Sequence, residues 1–503
     1  MALNTNGISF SGLASGIDTA SLIQKLVSLE SQPITQMEGQ QKTFQSKLSA
    51  LGTFKGLVKD LQTKAKALST KDSFASYFTS VSTNGHLSVS ASGSASPGTH
   101  TVTVNQLATV DRWTFDGVTD KTVDLASADG QHVAFSVNGT NYDVVLTAGH
   151  SSLEEIAGAI NSAAGEDVGA SVVNAGTDAN PNFQLVLTSK TSGEDNRITG
   201  IVSDVAGLTI DGTGPDGSGN AQSTNNITVG LNAVAVIDGL TVTRDTNEFN
   251  EVIAGVSITA QTADPSLQLS VSVTADTGAI KTKINDFVTA YNNLIDYVNT
   301  QNHYTKDQGA GGLLFGDPIL NQVLKQVRTA LFNVPPTVVQ NDTAGYSTLS
   351  LVGIKTQSDG KLLVDATVLD DKISANLDKF ADLFVDSDGF NNGGALPNTN
   401  GYYTDTTADS GLAATLDRTI QRMFDTYTGP GNKTFKGIFD TRTQTYNDSI
   451  SKLFKDIAAK QTQVDKFQES LTLKFANLEQ LMSGLQSQGA SLAAGVSGFS
   501  NGG

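Results

Sequence analysis

A chain of 503 residues exceeds what one hydrophobic core organises, so about three domains are expected. Hydrophobic residues make up 38%, charged residues only 16%, and there are 49 Gly, a mix that suits turn-rich β structure beside helices. With no Cys, disulfides and thiolate metal sites are excluded. The net charge of −18 is concentrated: Ser73 to Ala275 carries 21 Asp and Glu against 5 Lys and Arg. Nucleic acid is not expected as a partner, because neutralising phosphates takes clustered Lys and Arg. No basic n-region with an apolar h-region opens the chain, and no run reaches the length of a membrane span.

In chain order, the first seventeen residues carry no charged side chain. Asp18 then reads as an N-cap, with Leu22, Ile23, Leu26 and Leu29 on one helical face. Pro33 is expected to break or kink that helix. A second helix follows, with Met37, Phe44, Leu51, Val58 and Ala65 every seventh residue.

The middle alternates every second residue, as in "PGTHTVTVNQLATV", "HVAFSVNGTNYDVVLT", "FQLVLTS" and "VAVIDGLTVTRD". These are strand patterns, and Asn138-Gly139 between two of them is a hairpin signal. One helix interrupts after Ser151-Ser152, with Leu153, Ile156, Ala157 and Ile160. Gly-rich stretches at 211–220 and 388–401 mark loops or linkers.

Helical periodicity returns at Ile280, Ile284, Phe287, Tyr291, Leu294 and Val298, then at 320–332 and 365–383. Between the last two, Ser358-Asp359-Gly360 is the turn of a second hairpin. Near the end, Tyr446, Ile450, Leu453, Ile457, Lys460, Val464, Phe467, Leu471, Lys474, Leu478, Leu481 and Leu485 alternate at spacings of four and three. This heptad pattern predicts either a coiled coil between the two ends of the chain or a helix packed on its own domain's core.

The fold class expected is α+β multidomain: a helical coiled-coil or bundle leg built from both chain ends, plus a two-part β-rich head. Residues 1–75 form the N-terminal tail and leg helices. Residues 76–110 and 226–275 form one β-rich head domain, into which 111–225 is inserted as a second, β with one helix. Residues 276–485 return to leg helices, hairpin and C-terminal coiled-coil helix, and 486–503 are a flexible tail.

No constellation for catalysis emerges. Gly12-Leu-Ala-Ser15-Gly16 has neither the Gly-x-Ser-x-Gly order of a nucleophile elbow nor the Gly-Lys-Ser/Thr of a phosphate loop. The five His, at 86, 100, 132, 150 and 303, lack the short spacings of helical metal sites. Glu154-Glu155 and Glu194-Asp195 read as solvated surface rather than glycosidase pairs. Trp113 and Phe115 are a candidate ligand anchor without a pocket. No catalytic, metal or cofactor residue is expected, and no cofactor.

Several stretches together carry a resemblance. "SGLASGIDTASLIQKLVSLESQPI" (11–34), "SASPGTHTVTVNQLA" (94–108), "DGLTVTRDTNEFNEVIAGVSITA" (238–260), "INDFVTAYNNLIDYVN" (284–299), "GLLFGDPILNQVLKQVRTAL" (312–331) and "GIFDTRTQTYNDSISKLFKDIAAKQTQVDKF" (437–467) resemble the flagellar hook-associated protein 2 family, the bacterial filament caps. "SSLEEIAGAINSA", "VGASVV" and "FQLVLTSKTSGEDNRI" resemble the insertion module of flagellins and hook proteins. The match runs through nearly the whole chain in order, and is weakest over 385–435.

The resemblance implies a structural assembly factor that caps the growing filament tip, helps flagellin fold and insert, and stops it leaking away. It implies a homo-oligomeric ring of about five subunits, contacts with flagellin and hook-filament junction proteins, and a cytosolic export chaperone. The chain would leave the cell through the flagellar type III export apparatus and work outside it, at the flagellum tip, with no membrane insertion. Another axial flagellar protein or an extracellular adhesin is the alternative.

Both ends carry apolar side chains on uncharged strips that are too short for a core. The assembly-contact candidates are Leu3, Ile8, Phe10, Leu13 and Ile17 at one end. At the other they are Ile450, Leu453, Ile457, Val464, Phe467, Leu471, Leu478, Leu485, Leu492 and Phe499.

Overall fold

The computed structural model of the chain describes residue 16 and residues 18–210, 224–305, 309–334, 336–397, 399–407 and 410–500. Helices are α1 (Thr19–Lys66), α2 (Lys71–Phe74), α3 (Leu153–Ala164), α4 (Thr277–Asn302), α5 (Pro318–Phe332), α6 (Pro336–Asn341), α7 (Ala366–Ala375), α8 (Leu377–Asp382), α9 (Leu412–Phe424) and α10 (Ile438–Ser500). The chain forms two compact units, one from residues 1–70 with 283–503, the other from 71–282. Helical ends with β-rich units between them make this an α+β multidomain fold.

The first unit is a helical bundle extended by a long helix pair. Asp18 caps α1, its carboxylate accepting the Ser21 N–H at 3.0 Å. The helix continues through Pro33 for 48 residues in all, so Pro33 does not break it. Proline removes one intrahelical bond, and the continuous packing of both flanks outweighs that loss. Downstream, Leu51, Phe54, Val58, Leu61 and Ala65 are buried at three- and four-residue spacings. The same holds for Ile284, Phe287, Tyr291, Leu294 and Val298 of α4, and for Leu320, Val323 and Val327 of α5. Aromatic rings join the elements: Phe54 lies 5.8 Å from Phe439 and 5.8 Å from Tyr297, and Phe439 stacks on Phe424 at 4.8 Å.

Asn376 divides the expected helix over 365–383 into α7 and α8, capping the second through the Lys379 N–H. The hairpin turning at Ser358-Asp359-Gly360 is present, pairing Ile354 with Val364. Gly360 has φ +86°, a backbone conformation that glycine adopts without steric penalty.

The second unit has strands β1 (Tyr77–Val81), β2 (Leu87–Ala91), β3 (Gly98–Gln106), β4 (Arg112–Thr114), β5 (His132–Val137), β6 (Thr140–Val145), β7 (Val168–Asn174), β8 (Phe183–Ser189), β9 (Thr199–Ser203), β10 (Asn226–Thr228), β11 (Ala233–Ile237), β12 (Leu240–Arg244), β13 (Glu248–Ile253), β14 (Val256–Ala260) and β15 (Leu269–Ala275). An antiparallel sheet of order β1-β15-β3-β11-β12 packs on a sheet of order β13-β14-β2. Val102, Val104, Ile237, Phe249, Ile258 and Val271 fill the space between them. A second core lies among β10-β4-β8-β7, β6-β5-β9 and α3, built on Trp113, Phe115, Phe135, Ile156 and Leu187. Asn138 and Gly139, at φ +46° and +76°, make the tight turn between β5 and β6.

One carboxylate ties this second core together. Asp111 is fully buried, yet no cation pairs with it among the described residues. It accepts instead from Trp113 Nε1 at 2.7 Å and from the backbone N–H groups of Ile198 and Gly230 at 2.8 and 2.9 Å. Hydrogen bonds of this kind make an unpaired buried carboxylate tolerable.

Candidate assembly surface

The two ends of the chain pair antiparallel. Glu30 of α1 meets Lys460 of α10, Phe44 meets Tyr446 at 6.0 Å between ring centroids, and Lys55 meets Asp440 at 3.6 Å. At 63 residues, α10 is about 95 Å long.

The heptad seam follows the inner face of that pair only part of the way. Tyr446 and Val464 are buried, and Ile450, Leu453, Ile457 and Leu471 are half-buried. Phe467 is already at the margin of exposure. Beyond Leu471 the inward positions are Phe475, Glu479 and Met482, while Leu478, Leu481, Leu485 and Leu492 stand 44%, 62%, 55% and 69% exposed. The Glu30–Lys460 and Phe44–Tyr446 contacts place Thr19, the first residue of α1, opposite about residue 471, so these leucines lie past the described end of the partner helix. Phe454, Leu473, Leu22 and Leu29 are exposed along the same pair.

Leu3, Ile8, Phe10, Leu13 and Ile17 lie outside the described residues, as does the side chain of Phe499. The C-terminal stretch from 486, read from its Gly and Ser content as a tail, continues α10 as helix to Ser500.

Polar anchors hold the root of the long helix. Asp317 caps α5 through the Ile319 N–H at 3.1 Å, and its other oxygen accepts from Arg442 and from the Tyr446 hydroxyl. Burial and the neighbouring Asp317 carboxylate push the Tyr446 hydroxyl up to about 12. Nearby in the sequence, Arg418 pairs with Asp386 at 2.9 Å and with Asp405 at 3.6 Å, all three largely buried. These acids went unread in the sequence. Asp317 alone had a local signal, since Asp-Pro before an apolar-periodic run marks a helix start.

The residues weighed for chemistry are occupied structurally. Trp113 and Phe115 have no exposure and belong to a core, so they do not anchor a ligand. Glu155 closes a capping box with Ser152, and Glu194 pairs with Arg197. His100, His132 and His150 each lie beside a carboxylate in different places. Among the described residues no group of three or more His, Asp or Glu could hold a metal ion, and no helix is long and apolar enough to cross a membrane.

Two family models match, flagellar hook-associated protein 2 N-terminus over residues 15–111 and flagellar hook-associated protein 2 C-terminus over 230–487. The flagellar hook-associated protein 2 of Escherichia coli K12 is 30% identical over 98% of this chain and 99% of its own. The chain belongs to the flagellar hook-associated protein 2 family. The B-type hook-associated protein 2 of Pseudomonas aeruginosa PAO1 is 27% identical, over 92% of this chain and 93% of that protein. Among solved structures, the D1-D2-D3 domains of the flagellar cap protein FliD from Escherichia coli superpose with a TM-score of 0.60 at 27% identity, covering 79% of this chain and 99% of that one. The family models leave residues 112–229 between them. The family places the chain at the flagellum, in the cap of the filament.

Proposed function

We propose that this chain is a structural assembly factor that caps the tip of the growing flagellar filament, promotes flagellin folding and insertion, and prevents flagellin leakage. What carries the reading is similarity through the whole length to a hook-associated protein 2, joined to a fold shared with a structure titled flagellar cap protein. No relative with that coverage bears the name of a junction protein or adhesin among those described above. The work is mechanical and needs no catalytic residue.

The exposed leucines of α10 suit this role. A helix end that presents Leu478, Leu481, Leu485 and Leu492 to water gains stability only when another surface covers them. Neighbouring copies in a homo-oligomeric ring and the filament end are the partners proposed, with residues 1–17 contributing the remaining contacts. The head is proposed to consist of 76–110 with 226–275, carrying 111–225 as an insertion. Export through the flagellar type III apparatus, with a chaperone holding the chain beforehand, suits a chain without Cys.

Electron microscopy of isolated filaments incubated with the purified chain tests this reading. Density at one end of each filament is expected. Binding along filament sides, or none, contradicts it.

A further inference from the structure

Three Asn residues with described side chains are followed by Gly: Asn84, Asn138 and Asn392. That dipeptide carries a chemistry of its own. A Gly has no Cβ to hinder its backbone nitrogen, so that nitrogen can reach the Cγ of the preceding Asn and close a five-membered ring. The ring closes only where the backbone can turn the nitrogen onto Cγ and the side-chain amide is free to meet it. The fold treats the three sites differently.

Asn392 is held at both reacting groups. Its Nδ2 donates to the Ala395 carbonyl at 3.2 Å, and its Oδ1 accepts from the Gly394 N–H at 3.1 Å. The nucleophile is held too, because the Gly393 N–H donates to Asn391 Oδ1 at 2.9 Å. Asn138 is exposed but sits at φ +46° in the two-residue turn between β5 and β6, with Val137 and Thr140 paired on either side of it. Rotating its backbone means opening that end of the ladder. Asn84 has neither restraint. It is exposed in the loop between β1 and β2, and no hydrogen bond holds its side chain or the Gly85 N–H among the described residues. A Cβ on Gly85 would meet nothing within 4 Å. The loop is tied at its ends, where the Ser82 N–H donates to the Ser270 carbonyl and the His86 carbonyl accepts from the Gln261 N–H, both at 2.9 Å.

We propose that Asn84 is a site of spontaneous deamidation, and the fastest of the three in the folded chain. The Gly85 nitrogen bonds to Asn84 Cγ, the bond from Cγ to Nδ2 breaks, and ammonia leaves with the proton that the Gly85 nitrogen gives up. Solvent water then opens the ring. Opening at Cγ leaves an aspartate; opening at the backbone carbonyl leaves the β-linked isomer, whose main chain is longer by a methylene. Either product adds a negative charge to a region, Ser73 to Ala275, that already carries 21 Asp and Glu against 5 Lys and Arg. The bonds at Ser82 and His86 lie outside the reacting pair, so the strands they join keep their places.

Peptide mass mapping of the full chain after incubation in mildly alkaline buffer, folded and again in guanidinium chloride, tests it. In the folded chain Asn84 is expected to convert about tenfold faster than Asn392, equivalent to about 1.4 kcal/mol for freeing the held groups. It is also expected to convert faster than Asn138. In guanidinium chloride the three rates converge, because each site keeps its dipeptide and loses its restraints. Asn84→Gln, whose longer side chain has to close a larger ring, is expected to abolish conversion in that peptide at unchanged melting temperature. Conversion of Asn138 or Asn392 as fast as that of Asn84 in the folded chain overturns the proposal. So does an order of rates that the denaturant leaves unchanged.

Discussion

Arg442 places two N–H groups on one oxygen of Asp317, from Nε at 2.9 Å and from a terminal nitrogen at 2.6 Å. Asp317 is buried, so the pair joins the first turn of α10 to the start of α5 where water cannot replace it. Removing one partner strands the other charge. Arg442→Met is expected to destabilise the first unit by about 3 kcal/mol, and Asp317→Asn by less, since Asn keeps an acceptor for the helix cap. Urea denaturation of both variants measures the difference.

Tyr446 donates to the same carboxylate and gives the site a pH dependence. Burial first, then Asp317, raises its ionisation to about 12 in the folded chain. A raised folded value means stability that is full below the unfolded value of about 10 and is lost as pH climbs toward 12. Melting temperature is therefore expected to fall between pH 10 and 12 in the parent. Tyr446→Phe keeps the ring, costs about 1 kcal/mol at neutral pH and flattens that fall. An unchanged alkaline profile in the variant contradicts the assignment.

Asp342 carries the opposite sign. Burial opposes its ionisation, but N–H bonds from Ser347, Gly345 and Tyr346 outweigh it and bring the carboxyl down to about 2. A depressed folded value gives stability that is present above the unfolded value of about 3.9 and is lost as pH falls toward 2. Asp342→Ala is expected to loosen 342–347 at neutral pH, read as faster amide exchange at Tyr346 and Ser347, while α1 and α10 keep their protection.

Buried and exposed apolar positions on α10 separate folding from assembly. Val464 is 2% exposed, and Val464→Asp puts an unpartnered charge into the paired face. It is expected to cost about 3 kcal/mol and to melt the helix pair early. Leu485 is 55% exposed, so Leu485→Asp with Leu481→Asp should leave the melting temperature within a degree or so of the parent. The second variant is nevertheless expected to lose capping. Full capping by it removes the exposed stripe from the assembly surface.

Local signals in the sequence were the dependable ones. Asn138-Gly139 turned where its φ preferences require, Ser152 and Glu155 closed a capping box, and Asp18 capped α1. Pro33 misled because a break is a local expectation, whereas a helix paired along its length is held by distant residues such as Lys460. The heptad stripe was legible, but the face it presents was not. Burial along α10 follows the reach of α1, whose described helix begins opposite about residue 471, so the same periodicity buries Val464 and leaves Leu485 exposed. Of the partners of Asp111 only Trp113 is a sequence neighbour, and Ile198 and Gly230, far along the chain, left no local signal.

The most direct measurement is the amount of flagellin in the culture medium of cells whose copy of this chain is deleted, beside filament length on the same cells. Capping predicts abundant monomeric flagellin in the medium and cells with no filaments or only stubs, both reversed when the chain is restored. Filaments of parental length with no flagellin released would contradict it.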